Sequence, residues 1–258
     1  MKWLDGGAVR RAAPSMPKNM PGLLLAAGIG TLWLAIHVGA IFLWSVAVRD
    51  VPLVIGAILL QAWLSTGLFI VAHDCMHGSL LPGRPRANAA VGTAFLAAYA
   101  GLSYAALLPK HHAHHAAPGT ADDPDFHPDR PRDAVAWFVR FFSGYYTHGQ
   151  IGRITAAAIV YMLLGASLLN IVLFWAVPAL LALVQLFVFG TYLPHRHADT
   201  PFADAHRARS TTTTPALSLL TCFHFGGYHH EHHLSPGTPW WRLPTLRRPA
   251  AARRQMQR

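Results

Sequence analysis

The segment Tyr228-His229-His230-Glu231-His232-His233 carries five side chains able to bind a metal or move a proton. Read as a helical turn, His229, His232 and His233 fall at i, i+3 and i+4 and share one face. The same geometry recurs upstream in His73-x-x-x-His77 and in His111-x-x-His114-His115, and His195-x-His197 adds a fourth cluster. Imidazoles gathered in an apolar chain without a cation would leave lone pairs and N–H groups unpaired, at roughly 1–3 kcal/mol for each buried unsatisfied group. The clusters therefore read as donors to a polyhistidine metal centre. The chain has 17 histidines, and those of the clusters outnumber the four donors of a closed tetrahedral zinc site, so two metals with open positions fit the count. Imidazole suits iron, copper, nickel and zinc alike, which leaves the metal open. A soluble di-metal bundle built from Glu and Glu-x-x-His ligands is excluded, because Glu231 is the sole glutamate.

The elements that must position these residues are long and apolar. Leu23 to Val48, Val51 to Ala72 and Ile154 to Pro194 contain no Asp, Glu, Lys or Arg, and a bilayer core needs about 20 apolar residues per helix. The expected fold is an all-α integral membrane protein with four transmembrane helices, at about 23–47, 51–72, 154–171 and 174–193, with the last turn near Asn170 or Pro178. Asn88 to Leu108 is weakly apolar. If it crossed the bilayer once, the first two histidine blocks would lie on opposite faces, so it is expected to be re-entrant or interfacial. The aromatic run Trp137 to Tyr146 is expected in the headgroup plane, rings inward and Arg132 and Arg140 outward, and Trp240-Trp241 reads as an interfacial anchor.

This topology puts every Lys and Arg except Arg49 on the histidine side, which by the positive-inside rule faces the cytoplasm. The expected location is the inner, cytoplasmic membrane, multi-pass. Residues 1–20 read as a cytoplasmic N-terminal segment, 21–245 as one membrane domain and 246–258 as a basic tail. The net charge of +10 accordingly sets orientation and does not indicate nucleic acid, since no basic stripe with interleaved aromatics accompanies it. The two cysteines, Cys75 and Cys222, read as small core residues.

His73-Asp74-Cys75-Met76-His77, His111-His112-Ala113-His114-His115 and His229-His230-Glu231-His232-His233-Leu234 resemble the three histidine boxes of the membrane fatty-acid desaturase and hydroxylase superfamily. The strings Phe69 to Ser79, Ala113 to His127, Leu193 to Arg209 and Leu217 to Leu234 further resemble the bacterial β-carotene ketolases. The resemblance implies a cytoplasmic-face site with two iron ions, O2 as co-substrate and an external reductant. It implies His73, His77, His111, His114, His115, His229, His232 and His233 as ligands, with His195 or His197 adding one after the last span. His112, His230 and His224 are candidates for additional ligands or for supporting positions. Metal-bound imidazoles usually donate their second N–H to a carboxylate or carbonyl, which makes Asp74, Asp122, Asp123, Asp125, Asp199 and Glu231 candidate partners. No catalytic residue separate from the metal ligands stands out.

The activity implied is oxidation of carbon 4 of a carotenoid β-ionone ring to a ketone, by two hydroxylations and a dehydration. A dinucleotide-binding Gly-x-Gly-x-x-Gly after a strand, a haem attachment motif and an iron–sulfur cysteine pattern are absent from the sequence. Electrons must therefore come from a separate donor; the resemblance implies a ferredoxin with its reductase, and the bilayer as the source of the carotenoid. A carotenoid 3-hydroxylase and a fatty-acyl desaturase share such a site and are the alternatives. A membrane metal-binding or transport protein is the non-enzyme alternative.

Overall fold

The computed structural model describes residues 19–247; residues 1–18 and 248–258, which hold most of the expected N-terminal segment and of the basic tail, lie outside the described part. Among the described residues every element is helical. Helix α1 (Met20–Leu43) descends from the histidine end and α2 (Val48–Met76) returns to it. Their turn is fixed by Asp50, whose Oδ2 accepts from the Ala47 amide at 2.9 Å and from the Trp44 indole at 3.4 Å. Helix α2 runs through the first histidine block, so His73 and His77 project from its last turn at i and i+4.

Helix α3 (Pro85–Ala100) begins at a proline, whose missing N–H is no loss at a helix start. The Asn88 side chain ties it to the preceding loop, accepting from the Leu81 amide and donating to the Leu81 and Arg84 carbonyls. It stops at Gly101, which takes the left-handed conformation at φ +62°, and the chain turns through 101° into α4 (Tyr104–Ala116). Ser103 caps α4 by accepting from the Ala106 amide at 3.3 Å. This bent pair is the re-entrant element that parity requires, and it delivers the second histidine block on the last two turns of α4.

Helix α5 (Ala134–Tyr145), capped by Asp133, buries Trp137 completely against Phe126 and Phe187 while Val135 and Val139 stay exposed. Arg132 pairs with Asp199 and the Arg140 guanidinium donates to the Phe126 carbonyl, both from the exposed side. Helix α6 (His148–Leu163) follows, capped by Thr147. The chain then turns at 164–167 into α7 (Leu168–His195), which ends on a histidine.

Here the expected boundaries are corrected. The segment 154–171 is divided between α6 and α7 by the turn at 164–167; among the described residues α1, α2 and α7 are each long and apolar enough by themselves to cross a membrane, and α6 is a shorter apolar helix leading to the start of α7. Asn170 makes no turn. Its side-chain amide donates to the carbonyls of Ala40, Ile41 and Trp44, left free where α1 widens to a π-helix over Gly39–Leu43. Pro178 breaks nothing either, because the π-helical stretch Val172–Ala176 precedes it and moves aside the carbonyl that its ring would meet.

Short helices α8 (Pro215–Cys222) and α9 (His229–Leu234) close the histidine end, followed by a 3₁₀ turn at Trp240–Leu246. Trp240 is not the interfacial anchor expected: it is 6% exposed, packed on Phe223 and His224. Cys75 and Cys222 are buried and unpaired.

The seat of the bent pair on α2 depends on a missing side chain. A Cβ at Gly92 would lie 2.3 Å from the Tyr104 ring and 3.2 Å from the Cys75 Cβ. Gly92→Ala is therefore expected to push α3 away from Tyr104 of α4 and from α2, at about 1–3 kcal/mol for overpacking; a drop in thermal unfolding temperature of the detergent-solubilised chain, with loss of bound metal, is the measurement.

Candidate metal centre

The four elements converge on two adjacent groups of imidazoles. His73 and His77 of α2, His111 and His115 of α4 and His232 of α9 form one, with one ring nitrogen from each all within 4.8 Å of one another. His114 of α4, His195 of α7 and His229 and His233 of α9 form the other, to the same tolerance. The helical repeat makes the division: within α4 the i, i+4 pair His111 and His115 faces the first group and His114 the second. In α9 it is His229 and His233 that share a group while His232 faces the other.

Ring nitrogens meet head to head. His77 and His111 approach at 2.7 Å between Nε2 atoms, His115 and His232 at 3.1 Å, His195 and His229 at 2.8 Å, and His229 and His233 at 3.0 Å. A neutral imidazole has one donor and one acceptor nitrogen. A ring of several Nε2 atoms pointing at one another is satisfied by a shared cation, with the proton of each ring on Nδ1. Burial, reinforced by neighbouring imidazoles, holds His229, His232 and His233 well below the ordinary histidine range, and the same causes bring His77 down to about 4. These rings are neutral at physiological pH, the state in which imidazole binds a metal. The all-nitrogen donor set fits a transition metal and not magnesium or calcium.

Two of these rings have their outer nitrogen anchored. His114 Nδ1 lies 3.0 Å from both oxygens of Asp123, which is itself held by the Gly119 and Asp125 amides. Burial pulls His114 down, but the Asp123 hydrogen bond and the nearby carboxylates outweigh it and raise its pKa. His195 Nδ1 donates to the Arg207 carbonyl at 2.8 Å, a contact made by a residue in the left-handed conformation at φ +43°. The outer nitrogens of His73, His229, His232 and His233 have no protein partner.

Other expected site residues are placed elsewhere. His197, expected beside His195, reaches neither group: α7 ends at His195, the extended backbone after it turns the next side chains away, and His197 packs against Phe126 and Phe202. His112 Nε2 faces the Met76 carbonyl at 3.2 Å, His230 pairs with Asp204 at 2.7 Å, and His224 stacks near Trp240. None joins a group. Among the candidate carboxylates only Asp123 makes a hydrogen bond to a grouped imidazole. Asp74 Oδ1 stands 4.0 Å from His73 Nδ1, and its other oxygen accepts from the Trp240 amide at 3.1 Å, tying the last turn to α2. Glu231 is held by Arg247 at 2.9 Å and by Ser210, so it anchors α9 and not an imidazole. Asp199 is exposed and paired with Arg132, Asp122 is exposed, and Asp125 accepts from the Tyr145 hydroxyl.

An apolar cavity of about 490 Å³ leads to the groups, lined by residues of α2 to α7 together with Cys222, Phe225, His229 and His232. It runs from Leu168 and Ile171 at the far end of α7 to His73, His111, His114 and His115. Several of its lining residues, Phe142, Ile151, Leu168, Val172 and Leu180, are also exposed on the outer surface. The cavity wall is thus continuous with the exposed apolar surface of α5, α6 and α7. The Arg207 carbonyl, Asp204 and the Tyr145 hydroxyl carry no histidine-box signal, and sequence reasoning did not find them.

Comparison with known proteins agrees with this architecture. The family described as fatty acid desaturase matches residues 49–157 and 148–258. A β-carotene ketolase of a Paracoccus species (strain N81106) is 48% identical over 92% of this chain and 96% of its own length. A second β-carotene ketolase, of Paracoccus strain PC1, is 50% identical over 87% of this chain and 91% of its own length. A zeaxanthin 4-ketolase of Chlamydomonas reinhardtii is 34% identical over 89% of this chain and 54% of its own length.

Asp123→Ala removes the partner of His114 and of the Gly119 amide. It is expected to weaken metal retention about 10- to 100-fold, while His197→Ala leaves retention at the wild-type level; metal per chain after graded chelator treatment, by plasma mass spectrometry, reads both.

Proposed function

The chain belongs to the fatty acid desaturase family and stands among its β-carotene ketolases, and from that footing we propose that it oxidises carbon 4 of a carotenoid β-ionone ring to a ketone, with two irons and O2. One observation carries the reading. Two all-imidazole groups sit at the end of an apolar cavity whose wall is continuous with the exposed apolar helix surface, a shape suited to a long hydrocarbon whose end ring is the reacting part.

In this reading His73, His77, His111, His115 and His232 hold one iron and His114, His195, His229 and His233 the other. Bound iron would supply the activation of O2 needed to break a C–H bond, chemistry that side chains alone lack. The chain's residues do the rest. Phe69, Leu107 and Phe225 present an apolar surface against which the ring is held near the imidazoles, and such positioning converts an encounter into a near-unimolecular step. Carbon 4 is allylic, which weakens its C–H bond. Asp123 fixes the tautomer of His114 and the Arg207 carbonyl that of His195, so both rings turn a lone pair inward. The packing of α9 and the 3₁₀ turn at the histidine end leaves His73, His114, His195, His229, His232 and His233 buried. Two successive hydroxylations at carbon 4, each using one O2 and two electrons, give a geminal diol that loses water to the ketone.

The electrons come from a separate donor, a ferredoxin with its reductase, steered by the basic histidine side. That side faces the cytoplasm and the membrane is the inner one, by the distribution of Lys and Arg. Residues 21–245 act as one membrane domain.

Expressed in bacteria that already make β-carotene, the chain is expected to yield echinenone and canthaxanthin, identified by chromatography and mass spectrometry. His73→Ala, His115→Ala and His232→Ala are each expected to abolish ketone while the protein still inserts. Unchanged β-carotene from an iron-loaded, reductant-supplied wild type, or wild-type conversion by all three variants, defeats the assignment.

A further inference from the structure

The cavity is hydrocarbon-like over most of its length, but one part of its wall beside the imidazoles is not. Asp125 is its sole lining carboxylate and Tyr145 lies next to it. The Tyr145 hydroxyl donates to Asp125 Oδ1. The other oxygen of Asp125 stands 3.8 Å from His114 Nδ1, beyond hydrogen-bonding distance, and that nitrogen is already engaged by Asp123. Asp125 Oδ2 and the Tyr145 oxygen therefore keep acceptor capacity that the protein does not fill. Of the remaining polar lining, Tyr99 and Gln150 donate to the Ala179 and Ala100 carbonyls, Tyr146 is exposed, and Thr191 is a lone hydroxyl with no carboxylate beside it.

The pair is built in. The Asp125 backbone carbonyl accepts from the indole of fully buried Trp137, and the Asp125 amide donates to Asp123. Lys110 covers the outer face of the Tyr145 ring, 4.8 Å from its centre. Acceptors facing an apolar cavity cost free energy unless a ligand supplies a donor, and a plain hydrocarbon ring supplies none. A hydroxyl on ring carbon 3, adjacent to the carbon oxidised, would supply it within reach of the imidazoles.

We propose that Tyr145 and Asp125 form the seat of the 3-hydroxyl of an already hydroxylated carotenoid end ring, making them specificity-determining residues that favour hydroxylated over unsubstituted rings. This rests on the reading of the chain as a carotenoid ketolase. Its consequence is that a ring 3-hydroxylase is the class of reaction that best supplies the substrate.

The test is a competition assay in membranes containing the full chain, with β-carotene and its 3,3′-dihydroxylated counterpart supplied together and initial ketone formation from each followed by mass spectrometry. Wild type is expected to prefer the hydroxylated substrate. Tyr145→Phe is expected to lower that preference roughly three- to tenfold, the worth of one hydrogen bond, through a raised KM for the hydroxylated substrate alone. Because both substrates compete for the same enzyme, the ratio does not depend on how much of the chain folds or loads iron. Tyr145→Leu serves where the phenylalanine variant does not accumulate, with the same fall expected. An unchanged ratio, including equal loss on both substrates, overturns the proposal. Failure of wild type to form ketone from either substrate overturns the reading beneath it, and the proposal with it.

Discussion

Nine imidazoles crowd two adjoining spaces at one end of a membrane domain, and the rest of the structure exists in the form it does because they must be brought there. Each group draws on helices far apart in the chain: α2, α4 and α9 meet in one, α4, α7 and α9 in the other. Burial and the neighbouring imidazoles hold His229, His232 and His233 below the ordinary histidine range, while the Asp123 carboxylate raises His114. A lattice of lone pairs without protons is a strong ligand field for a cation and an unfavourable arrangement without one. The long helices are thus less a container than a set of rods whose ends must coincide.

That demand explains the irregular parts of the fold. An α-helix delivers a side chain every 100° or so, and a straight helix of the length of α7 would leave its final histidine wherever the count happened to fall. Helix α7 widens twice, over Val172–Ala176 and Leu186–Tyr192, and each widening rotates everything beyond it. The break at Gly101 does similar service for α3 and α4. Without it the second histidine block would leave along the direction of α3, away from the first.

Much of this was legible in the residues. The i, i+3, i+4 spacing picked out histidines that reach the centre, but it put His229, His232 and His233 on one face where the structure divides them between the two groups, and the parity of crossings required Asn88 to Leu108 to turn back. What spacing could not reveal was partnership across the chain. His197 and His195 are equivalent on paper, two apart after an apolar run, and only the stop of α7 at His195 separates them. Six carboxylates looked equally able to support an imidazole, yet Asp123 alone makes that bond, because two backbone amides pin it there. His195 is supported by a backbone carbonyl, and a carbonyl has no letter in the sequence. Asn170 and Pro178 misled for a related reason: each is a turn-former by habit, but a π-helical turn nearby supplied the one with carbonyls to bind and relieved the other of a clash.

The sharing of α4 and α9 between the two groups has a mechanical meaning. Since each of these helices sends side chains to both centres, neither centre can shift without carrying part of the other, and the spacing between them is a property of helical pitch more than of packing between helices. A bilayer that thickens, thins or stiffens can change how α1 and α6 tilt and how readily a pigment slips past them. The ruler that sets the two centres apart is covalent and short, and it is insulated from those changes.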